Sequence, residues 1–408
     1  MKSTELTADA YAPTFVDSDA VSVPPLEREK PRTRRVPSID RLRGIVIALM
    51  ALDHVRDFFT NAHFSPTDLQ HTTPALFFTR WITHYCAPTF IFLAGVSAQQ
   101  MSARMSRLAL QRFLLTRGLW LIALEFTVVM FVWMFNVSYP LGLVMQVIWA
   151  TGFSMCALAA LVSLPARWVG AFGVAMIASH NLLDGIRPES FGTWAPLWRI
   201  VHVEGETPFG VVVYPVVPWI GVMAVGYGFG EIYRLERARR LRTLVYAGLG
   251  LCAAFIFLRA INLYGDPRPW SQQRDLLWTS LAFLDVTKYP PSLAYVLMTL
   301  GPAMLVLALL ERTSSGFAKG FETFGRVPMF AYVVHLAIAH LFAGLLGALQ
   351  GHGSTILTTI FVFYPKNWGV GLLGVYFAWL LVLACLYPLC HWFGGVKRRR
   401  SDWWLSYL

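Results

Sequence analysis

Long apolar stretches separated by short polar segments run through most of the chain. Ten of them have about the 20 residues that an α-helix needs to cross the hydrocarbon core of a bilayer. They lie at residues 42–60, 75–98, 112–135, 141–163, 167–184, 211–233, 243–263, 291–311, 327–349 and 369–393. An eleventh apolar stretch, 354–364, is short and is expected to be re-entrant or interfacial. The pattern predicts an all-α, polytopic membrane protein with 10–11 transmembrane helices.

Composition supports this class. The 408 residues are 56% hydrophobic and only 14% charged, whereas soluble proteins carry about 25% charged residues. These values exclude a soluble globular protein, a disordered chain and a collagen. The five cysteines show neither the spacing of a metal motif nor a disulfide framework, so we expect no metal.

Lysines and arginines, which give a net charge of +11, gather in short clusters between the apolar stretches. Such clusters orient spans in a membrane, so we expect no nucleic-acid partner. With ten spans, the main clusters all fall on the side of the N-terminal tail: Arg28–Arg35, Arg104–Arg107, Arg167, Arg234–Arg242, Arg312–Arg326 and Lys397–Arg400. The positive-inside rule therefore predicts that both termini are cytoplasmic.

Three regions follow from these patterns. Residues 1–36 are polar and of mixed charge and are expected to form a disordered cytoplasmic tail. Residues 37–395 form the transmembrane domain, and residues 396–408 form a basic, aromatic cytoplasmic tail. We expect an integral, multi-pass membrane protein.

The first predicted span is crowded with ionisable residues: Arg43, Asp53, His54, Arg56 and Asp57. Each charged side chain inside a bilayer costs roughly 2.5–3.5 kcal/mol on insertion scales, which makes it a candidate functional residue. Asp57 follows His54 by one helical turn and is expected to hydrogen-bond to it. Asp53 is expected to pair with Arg56 at the same spacing, or to share a proton with Asp57.

The second predicted span carries Arg80 and His84 on one helical face, with His84 near the depth of His54. Buried charged pairs often have a purely structural role, in which they neutralise one another and fix helix register. A group of histidines, aspartates and arginines at one depth instead favours a functional site. His335 in the ninth span and Glu125 in the third are weaker candidates, since a single buried polar group is more often structural.

Two segments resemble a known family. Residues 39–59 (IDRLRGIVIALMALDHVRDFF) and 74–95 (PALFFTRWITHYCAPTFIFLAG) are similar to the opening of the heparan-alpha-glucosaminide N-acetyltransferase catalytic-domain family, in its bacterial branch. Residues 214–230, 288–293 and 325–336 add to the resemblance. Arg43, ten intervening residues and His54 also match a signature of the wider transmembrane acyltransferase superfamily.

The resemblance implies transfer of an acyl group, typically acetyl from acetyl-CoA, to an amine or hydroxyl outside the membrane. In the superfamily, the residues at Arg43 and His54 are implicated in catalysis. The lysosomal enzyme has an asparagine at the position of His54, and its proposed acetyl-accepting histidine lies in the loop after the first span. That loop contains His63 and His71 here, so the identity of the catalytic histidine stays open.

Acyl transfer needs a general base and a group that stabilises the oxyanion. We expect His54 to be the base, oriented by Asp57 or Asp53. We expect Arg80 or His84 to polarise the thioester carbonyl.

The substrates are expected to use other residues. Arg43 and Arg326 are the candidates for binding the acetyl-CoA donor. Lys288, His71 and His335 are the candidates for binding the small-molecule or glycan acceptor.

A proton-coupled transporter is the alternative function, because the same ionisable cluster suits proton transfer. The family resemblance and the lack of an internal repeat count against it. Lipid is an expected partner under both functions, and a homo-oligomer is compatible with both.

Overall fold

The computed structural model of the protein describes residues 36–313 and 316–407, so residues 1–35 of the predicted tail lie outside the described residues. The described chain is mainly helical, which confirms the all-α prediction. Its α-helices, α1 to α16 in chain order, are Pro37–Phe59, Pro74–Thr83, Cys86–Ser102, Arg107–Leu124, Met130–Met134, Val147–Leu161, Ala166–Ser179, Ala195–Val201, Val216–Phe229, Arg237–Ile261, Leu276–Leu284, Leu293–Arg312, Gly316–Gly325, Pro328–Leu349, Thr355–Thr358 and Leu372–Arg399.

Shorter elements join these helices. A π-helix, Glu125–Val129, connects α4 to α5. Segments of 3₁₀-helix lie at His180–Leu183, Pro188–Trp194, Gly230–Arg234, Phe361–Phe363 and Trp403–Ser406. The strands β1 to β3 are Leu143–Met145, Gly205–Thr207 and Gly210–Val212.

Six helical segments of the described chain are long and apolar enough to cross a membrane. They are Arg107–Met134, Val216–Arg234, Arg237–Ile261, Leu293–Arg312, Pro328–Leu349 and Leu372–Arg399. A seventh is added if Ala166–Leu183 and Pro188–Val201, which meet at a bend of 105°, form one broken span. The chain is an integral membrane protein, and the count of ten spans stays a prediction.

The second predicted span is not one helix. It breaks at His84 and Tyr85 into α2 and α3, which corrects the prediction of a continuous helix over 75–98. The Thr73 hydroxyl caps α2 by accepting the Leu76 N–H. At the break, the Tyr295 hydroxyl donates to the His84 carbonyl at 2.7 Å. That bond satisfies a backbone acceptor at the break, which makes an interruption inside the protein tolerable.

Two other predicted spans begin with strands. β1 precedes α6, and β3 lies shortly before α9, so the helices of spans 141–163 and 211–233 are shorter than predicted. β3 pairs in parallel with β1 and antiparallel with β2. The small sheet therefore places the starts of α6 and α9 side by side.

Helix α1 lies at the centre of the bundle. It contacts α2, α3, α12, α13, α14 and α16, and most of its side chains are buried in spite of their charges. It crosses α13 at backbone contact: a Cβ on Gly44 would lie 1.7 Å from the Phe321 carbonyl oxygen. On the other helix, a Cβ on Gly325 would lie 1.7 Å from the Asp40 carbonyl oxygen. Glycine is required on both sides of this crossing.

Basic clusters from three helices meet at one end of the bundle. Arg240 Nε, at the start of α10, lies 2.9 Å from Glu311 Oε2 at the end of α12. Arg41, near the start of α1, donates to the Thr313 carbonyl at 3.0 Å. Arg237 donates to the Glu311 carbonyl at 2.6 Å. These contacts join clusters that the charge pattern assigns to the same side of the membrane.

Candidate active site

A chain of alternating charges joins α1 to α2. Arg80 Nη1 lies 2.7 and 2.6 Å from the two oxygens of Asp53, and the Thr83 hydroxyl donates to Asp53 at 2.7 Å. Arg56 Nη1 lies 2.7 Å from Asp53, and Arg56 Nη2 donates to Asp57 at 2.6 Å. The predicted Asp53–Arg56 pair is confirmed. The Arg56 guanidinium pairs with both carboxylates, and the contacts of the described residues give no support to the alternative, a proton shared between Asp53 and Asp57.

His54 is held by a second histidine. His54 Nδ1 lies 2.7 Å from His335 Nε2, and His335 Nδ1 lies 2.8 Å from the Ala331 carbonyl oxygen. A carbonyl only accepts, so His335 Nδ1 carries a hydrogen and, in the neutral ring, His335 Nε2 accepts from His54 Nδ1. This network leaves the lone pair on His54 Nε2, the state that a general base needs. The expected bond from His54 to Asp57 is wrong, because Asp57 binds Arg56.

Aromatic side chains surround the His54 ring, and the charge of Glu125 acts on one of them, Tyr332. Trp133 and Tyr332 contact it edge-on, with ring centroids 5.1 and 6.0 Å away. The buried atoms Trp133 Nε1, Tyr332 Oη, Trp149 Nε1 and Glu125 Oε1 make no hydrogen bond of standard geometry within the described chain. Glu125 begins the π-helix, an irregularity common at functional sites. Looser contacts join Tyr332 to Trp133 and Glu125 to the Ile148 backbone, so these groups are weakly partnered and suit a polar ligand or water.

Lys288 is a further cation near the cluster. Its side chain is buried, and its charge acts on Asp53, His54 and His84. The segment 287–292 is fastened by Asp266, whose carboxylate accepts the Thr287 N–H and the Ser292 hydroxyl at 2.8 and 2.7 Å. The two arginines and two aspartates of the charge chain balance, so Lys288 adds a positive charge that they do not offset.

Tyr289 is next to this lysine, with Lys288 Nζ 5.1 Å from its ring centroid. Burial by itself raises the pKa of the Tyr289 hydroxyl, but the positive charges of Lys288 and Arg80 outweigh burial and hold that pKa below its usual value. A tyrosine in this setting donates strong hydrogen bonds. The sequence pointed to it only through its position beside Lys288 and its place in the 288–293 segment of the family resemblance.

His84 faces the same cluster from the helix break. Its side chain is buried, its ring centroid lies 5.5 Å from that of Tyr295, and Nδ1 makes no standard hydrogen bond within the described residues. The charges of Arg80, Lys288 and Asp53 all act on it. His54 is under the same three charges, so both histidines lie close to one ionisable cluster; their similar depth in the membrane stays a prediction.

The two candidates for donor binding lie away from this cluster. Arg43 bonds to Asp40 Oδ1 at 3.2 Å, to the Leu93 carbonyl at 3.3 Å and to the Ser97 hydroxyl. Arg326 is exposed and pairs with Glu322. Both arginines are thus already bonded to protein groups, and the structure does not bring them together with His54.

A polar pocket of about 240 Å³ lies near the Arg43 end of the bundle. Its lining includes Gln99 of α3, two residues beyond the Ser97 partner of Arg43, together with Arg107, Arg234 and Tyr227. Sequence reasoning used Arg107 and Arg234 only as orientation signals.

His71 lies in the loop between α1 and α2. Its ring is mostly exposed, and Nδ1 lies 2.7 Å from Asp68 Oδ2. That bond lowers the pKa of the Asp68 carboxyl. The contacts that the described structure gives His71 are with Asp68 and Phe64 and not with the His54 cluster.

Sequence reasoning also missed a separate polar cluster. One ring nitrogen each of His180 and His202 and a carboxylate oxygen of Asp184 all lie within 4.8 Å of one another, a set that can hold a metal ion. The cluster sits at the 105° bend after α7. The sequence signal that could have revealed the cluster is the spacing of His180 and Asp184, which are four residues apart. A search limited to cysteine motifs did not include it.

Comparison with known proteins gives one family. The family model described as heparan-alpha-glucosaminide N-acetyltransferase, catalytic, matches residues 35–264, more than half of the chain. No curated protein matches the chain significantly. The matched region contains Arg43, the charge chain, His54 and His84, whereas Lys288, Arg326 and His335 lie beyond it. The chain belongs to the heparan-alpha-glucosaminide N-acetyltransferase catalytic family, which indicates a membrane acetyltransferase-like function.

Proposed function

We propose that the protein transfers an acetyl group from acetyl-CoA to an amine or hydroxyl of a sugar-type acceptor, with His54 as general base. The observation that carries this proposal is the hydrogen-bonded pair of His54 and His335, which leaves His54 Nε2 ready to accept a proton. His335 is then a positioning residue, in place of the acceptor-binding role that the sequence predicted for it.

The proposed step is a direct transfer. The acceptor nitrogen or oxygen attacks the thioester carbonyl carbon while His54 Nε2 removes its proton, giving a tetrahedral oxyanion. The carbon–sulfur bond then breaks, and the thiolate of CoA takes the proton back from His54. Throughout, His54 Nδ1 keeps its hydrogen bond to His335, which stabilises the imidazolium of the intermediate.

Cations of the charge cluster support the oxyanion. Arg80 is committed to Asp53 at 2.6–2.7 Å, so its role is to keep that carboxylate neutralised. Lys288 supplies the positive charge that the two aspartates do not offset, and buried His84 is the second candidate to polarise the carbonyl. Preorganised charges of this kind are worth about 10²–10³-fold in rate.

Two substrate regions fit this arrangement. The donor nucleotide would bind at the Arg43 end, where Arg107 and Arg234 line the pocket of about 240 Å³ and present two cations to phosphates; Arg326 remains a further candidate. Along α1, Arg43 and His54 are 11 residues apart, a rise of about 16 Å. The acceptor would bind near Trp133, Tyr332 and Glu125, whose buried polar atoms suit a hydroxylated or amine-bearing ligand.

The test is release of free CoA thiol by the purified full-length chain in nanodiscs, with acetyl-CoA and a panel of amino sugars and hydroxylated glycans. We expect His54→Ala to lower kcat about 10²–10⁴-fold, the usual contribution of a general base. His391→Ala, which removes an exposed histidine of α16, is the control for loss of a histidine.

Two results would overturn the proposal. Full activity of His54→Ala together with inactivity of His71→Ala would move the chemistry to the loop histidine. Acetyl-CoA left intact with every acceptor, combined with proton-driven solute uptake into vesicles, would establish the transporter instead.

We further propose that the basic end of the bundle faces the cytoplasm and that the protein resides in a bacterial inner membrane. The concentration of arginines where α1, α10 and α12 meet supports this orientation. Acetyl-CoA would then reach the pocket near Arg43 from the cytoplasm.

A further inference from the structure

We propose that His180, Asp184 and His202 form a binding site for a divalent transition-metal ion, Zn²⁺ by preference, at the bend between α7 and α8. The site lies outside the proposed acetyl-transfer machinery. It replaces the expectation, drawn from cysteine spacing alone, that the chain has no metal.

The three side chains are close enough to converge on one ion. Their nearest ligand atoms lie within 4.8 Å of one another, and His202 Nε2 is 3.8 Å from Asp184 Oδ1. Around tetrahedral zinc with bonds of about 2.0 Å, ligand atoms are about 3.3 Å apart. Side-chain adjustments of about 1.5 Å or less would therefore close the site.

The histidine nitrogens are buried without adequate partners. His180 and His202 are 2% and 1% exposed, and His180 Nδ1, His180 Nε2 and His202 Nδ1 make no hydrogen bond of standard geometry within the described chain. The contact of His180 with the Pro291 carbonyl does not reach that geometry. A buried imidazole without a partner is costly, and a bound metal ion removes that cost.

His202 meets the site through Nε2, which lies 3.8 Å from Asp184 Oδ1 and 2.8 Å from the His180 carbonyl oxygen. Binding an ion through Nε2 would exchange the hydrogen bond to that carbonyl for a metal–nitrogen bond and move the ring hydrogen to Nδ1. Trp198 stacks on the His202 ring at 5.2 Å with the planes 5° apart, which fixes the orientation of the ring.

Asp184 completes the donor set and gives access. Its side chain is 20% exposed, so an ion can arrive from solvent. Asn181 Nδ2 donates to Asp184 Oδ2 at 2.8 Å, while Asn181 Oδ1 accepts the Leu293 N–H at 2.9 Å. The candidate ligand is thereby tied to the start of α12, directly after the segment that carries Lys288.

The donor chemistry selects the class of ion. Two imidazoles and one carboxylate suit zinc, which commonly takes three protein ligands and a water, whereas Mg²⁺ and Ca²⁺ require oxygen ligands. Because the three ligands lie on either side of the bend, a bound ion would fasten the end of α7 to the end of α8.

The experiment measures metal content and thermal stability of the full-length chain, purified without a histidine tag, stripped with a chelator and reloaded with ZnCl₂. We expect about one zinc per chain by mass spectrometry and a Tm that rises with zinc concentration. Loss of an outer-shell partner costs about 10–100-fold in affinity. We therefore expect Asp184→Asn and His202→Gln to weaken zinc binding by at least that factor, and His391→Ala to bind as wild type does.

Asp184→Asn retains an amide oxygen for the bond from Asn181, so it separates metal binding from folding. Should both variants fail to fold, Co²⁺ loaded into the wild-type chain decides, because a tetrahedral nitrogen–oxygen site gives strong visible absorption. Stripped wild-type protein that takes up neither ion, or variants that bind zinc as tightly as wild type, would overturn the proposal. Neither result depends on acetyl transfer.

Discussion

His54 Nδ1 bonds to His335, and the tautomer that this bond requires leaves the lone pair on His54 Nε2. The role of His335 can therefore be tested by substituting that one side chain. His335 is fully buried in α14, and its Nδ1 donates a second hydrogen bond to the Ala331 carbonyl. Without an acceptor at His54 Nδ1, the imidazole can rotate or present the wrong tautomer. Loss of orientation lowers turnover more than substrate binding.

We therefore expect His335→Leu to lower kcat for acetyl transfer by about 10²-fold with a much smaller change in KM. His335→Asn, whose amide oxygen can accept from His54, should recover part of the loss. Steady-state kinetics on the two variants in nanodiscs provide the measurement, with Tm recorded for each. Equal losses in both variants, tracking a fall in Tm, would reduce His335 to a packing role.

The spacing of residues along one helix predicts only those side-chain partners that lie one turn away on the same helix. It identified Asp53 with Arg56 correctly, because both lie on α1. It assigned His54 to Asp57, whereas the actual partner, His335, is 281 residues away. Lys288 was placed in an outer loop, and nothing in its local sequence indicates that its charge reaches Asp53. Contacts of this range are set by the packing of α1 against α14 and the 287–292 segment.

At the scale of elements, the crossing of α1 and α13 is the tightest contact described. A methyl group on Gly44 would overlap the backbone of Phe321, which cannot withdraw as the end of a side chain can. Overpacking typically costs 1–3 kcal/mol and occasionally more. Since α1 carries His54, any shift of the helix also displaces the candidate base.

We expect Gly44→Ala to lower the free energy of unfolding by about 2 kcal/mol or more and to reduce activity. Gly250→Ala is the matched control, because Gly250 is also within a helix, α10, but has no atom within 4 Å of the added Cβ. Chemical denaturation in detergent micelles measures both. A Gly44→Ala protein as stable as Gly250→Ala would show that α13 can move away from α1 without cost.

The helical regions themselves were predictable from hydrophobic runs, but their interruptions were harder to place. Pro88 is a local signal for the break at His84, because it has no N–H to donate to the His84 carbonyl four residues earlier. That carbonyl accepts instead from the hydroxyl of distant Tyr295. The strands of three residues each are too short to give an alternating pattern. Both features depend on partners far along the chain.

At the scale of the whole molecule, the outer helices are apolar on their exposed faces. Ile256 and Phe257 of α10 and Phe377 of α16 are more than half exposed. Large exposed side chains of this kind are suited to contact with lipid tails. The basic ends of the same helices support the proposed orientation, with those ends facing the cytoplasm.

Cysteine labelling tests the orientation in intact cells. We expect Ser401→Cys, at the basic end after α16, to be protected from a membrane-impermeant maleimide until the cells are permeabilised. Ser65→Cys, in the exposed loop between α1 and α2, should react from outside. Parallel labelling of the wild-type chain accounts for its five native cysteines. The reverse pattern of labelling would invert the proposed topology.

The charge chain on α1 also bears on biogenesis. Asp53, Arg56 and Asp57 would enter the translocon before Arg80, which is 27 residues behind Asp53 and provides its closest ion pair. Arg56 offsets one of the two aspartates of α1, and each unpaired charge carries an insertion penalty of roughly 2.5–3.5 kcal/mol. We therefore expect α1 and α2 to enter the membrane together, with Arg80 already paired to Asp53. On this expectation, the residues that prepare the candidate active site also set the order in which the nascent chain is inserted.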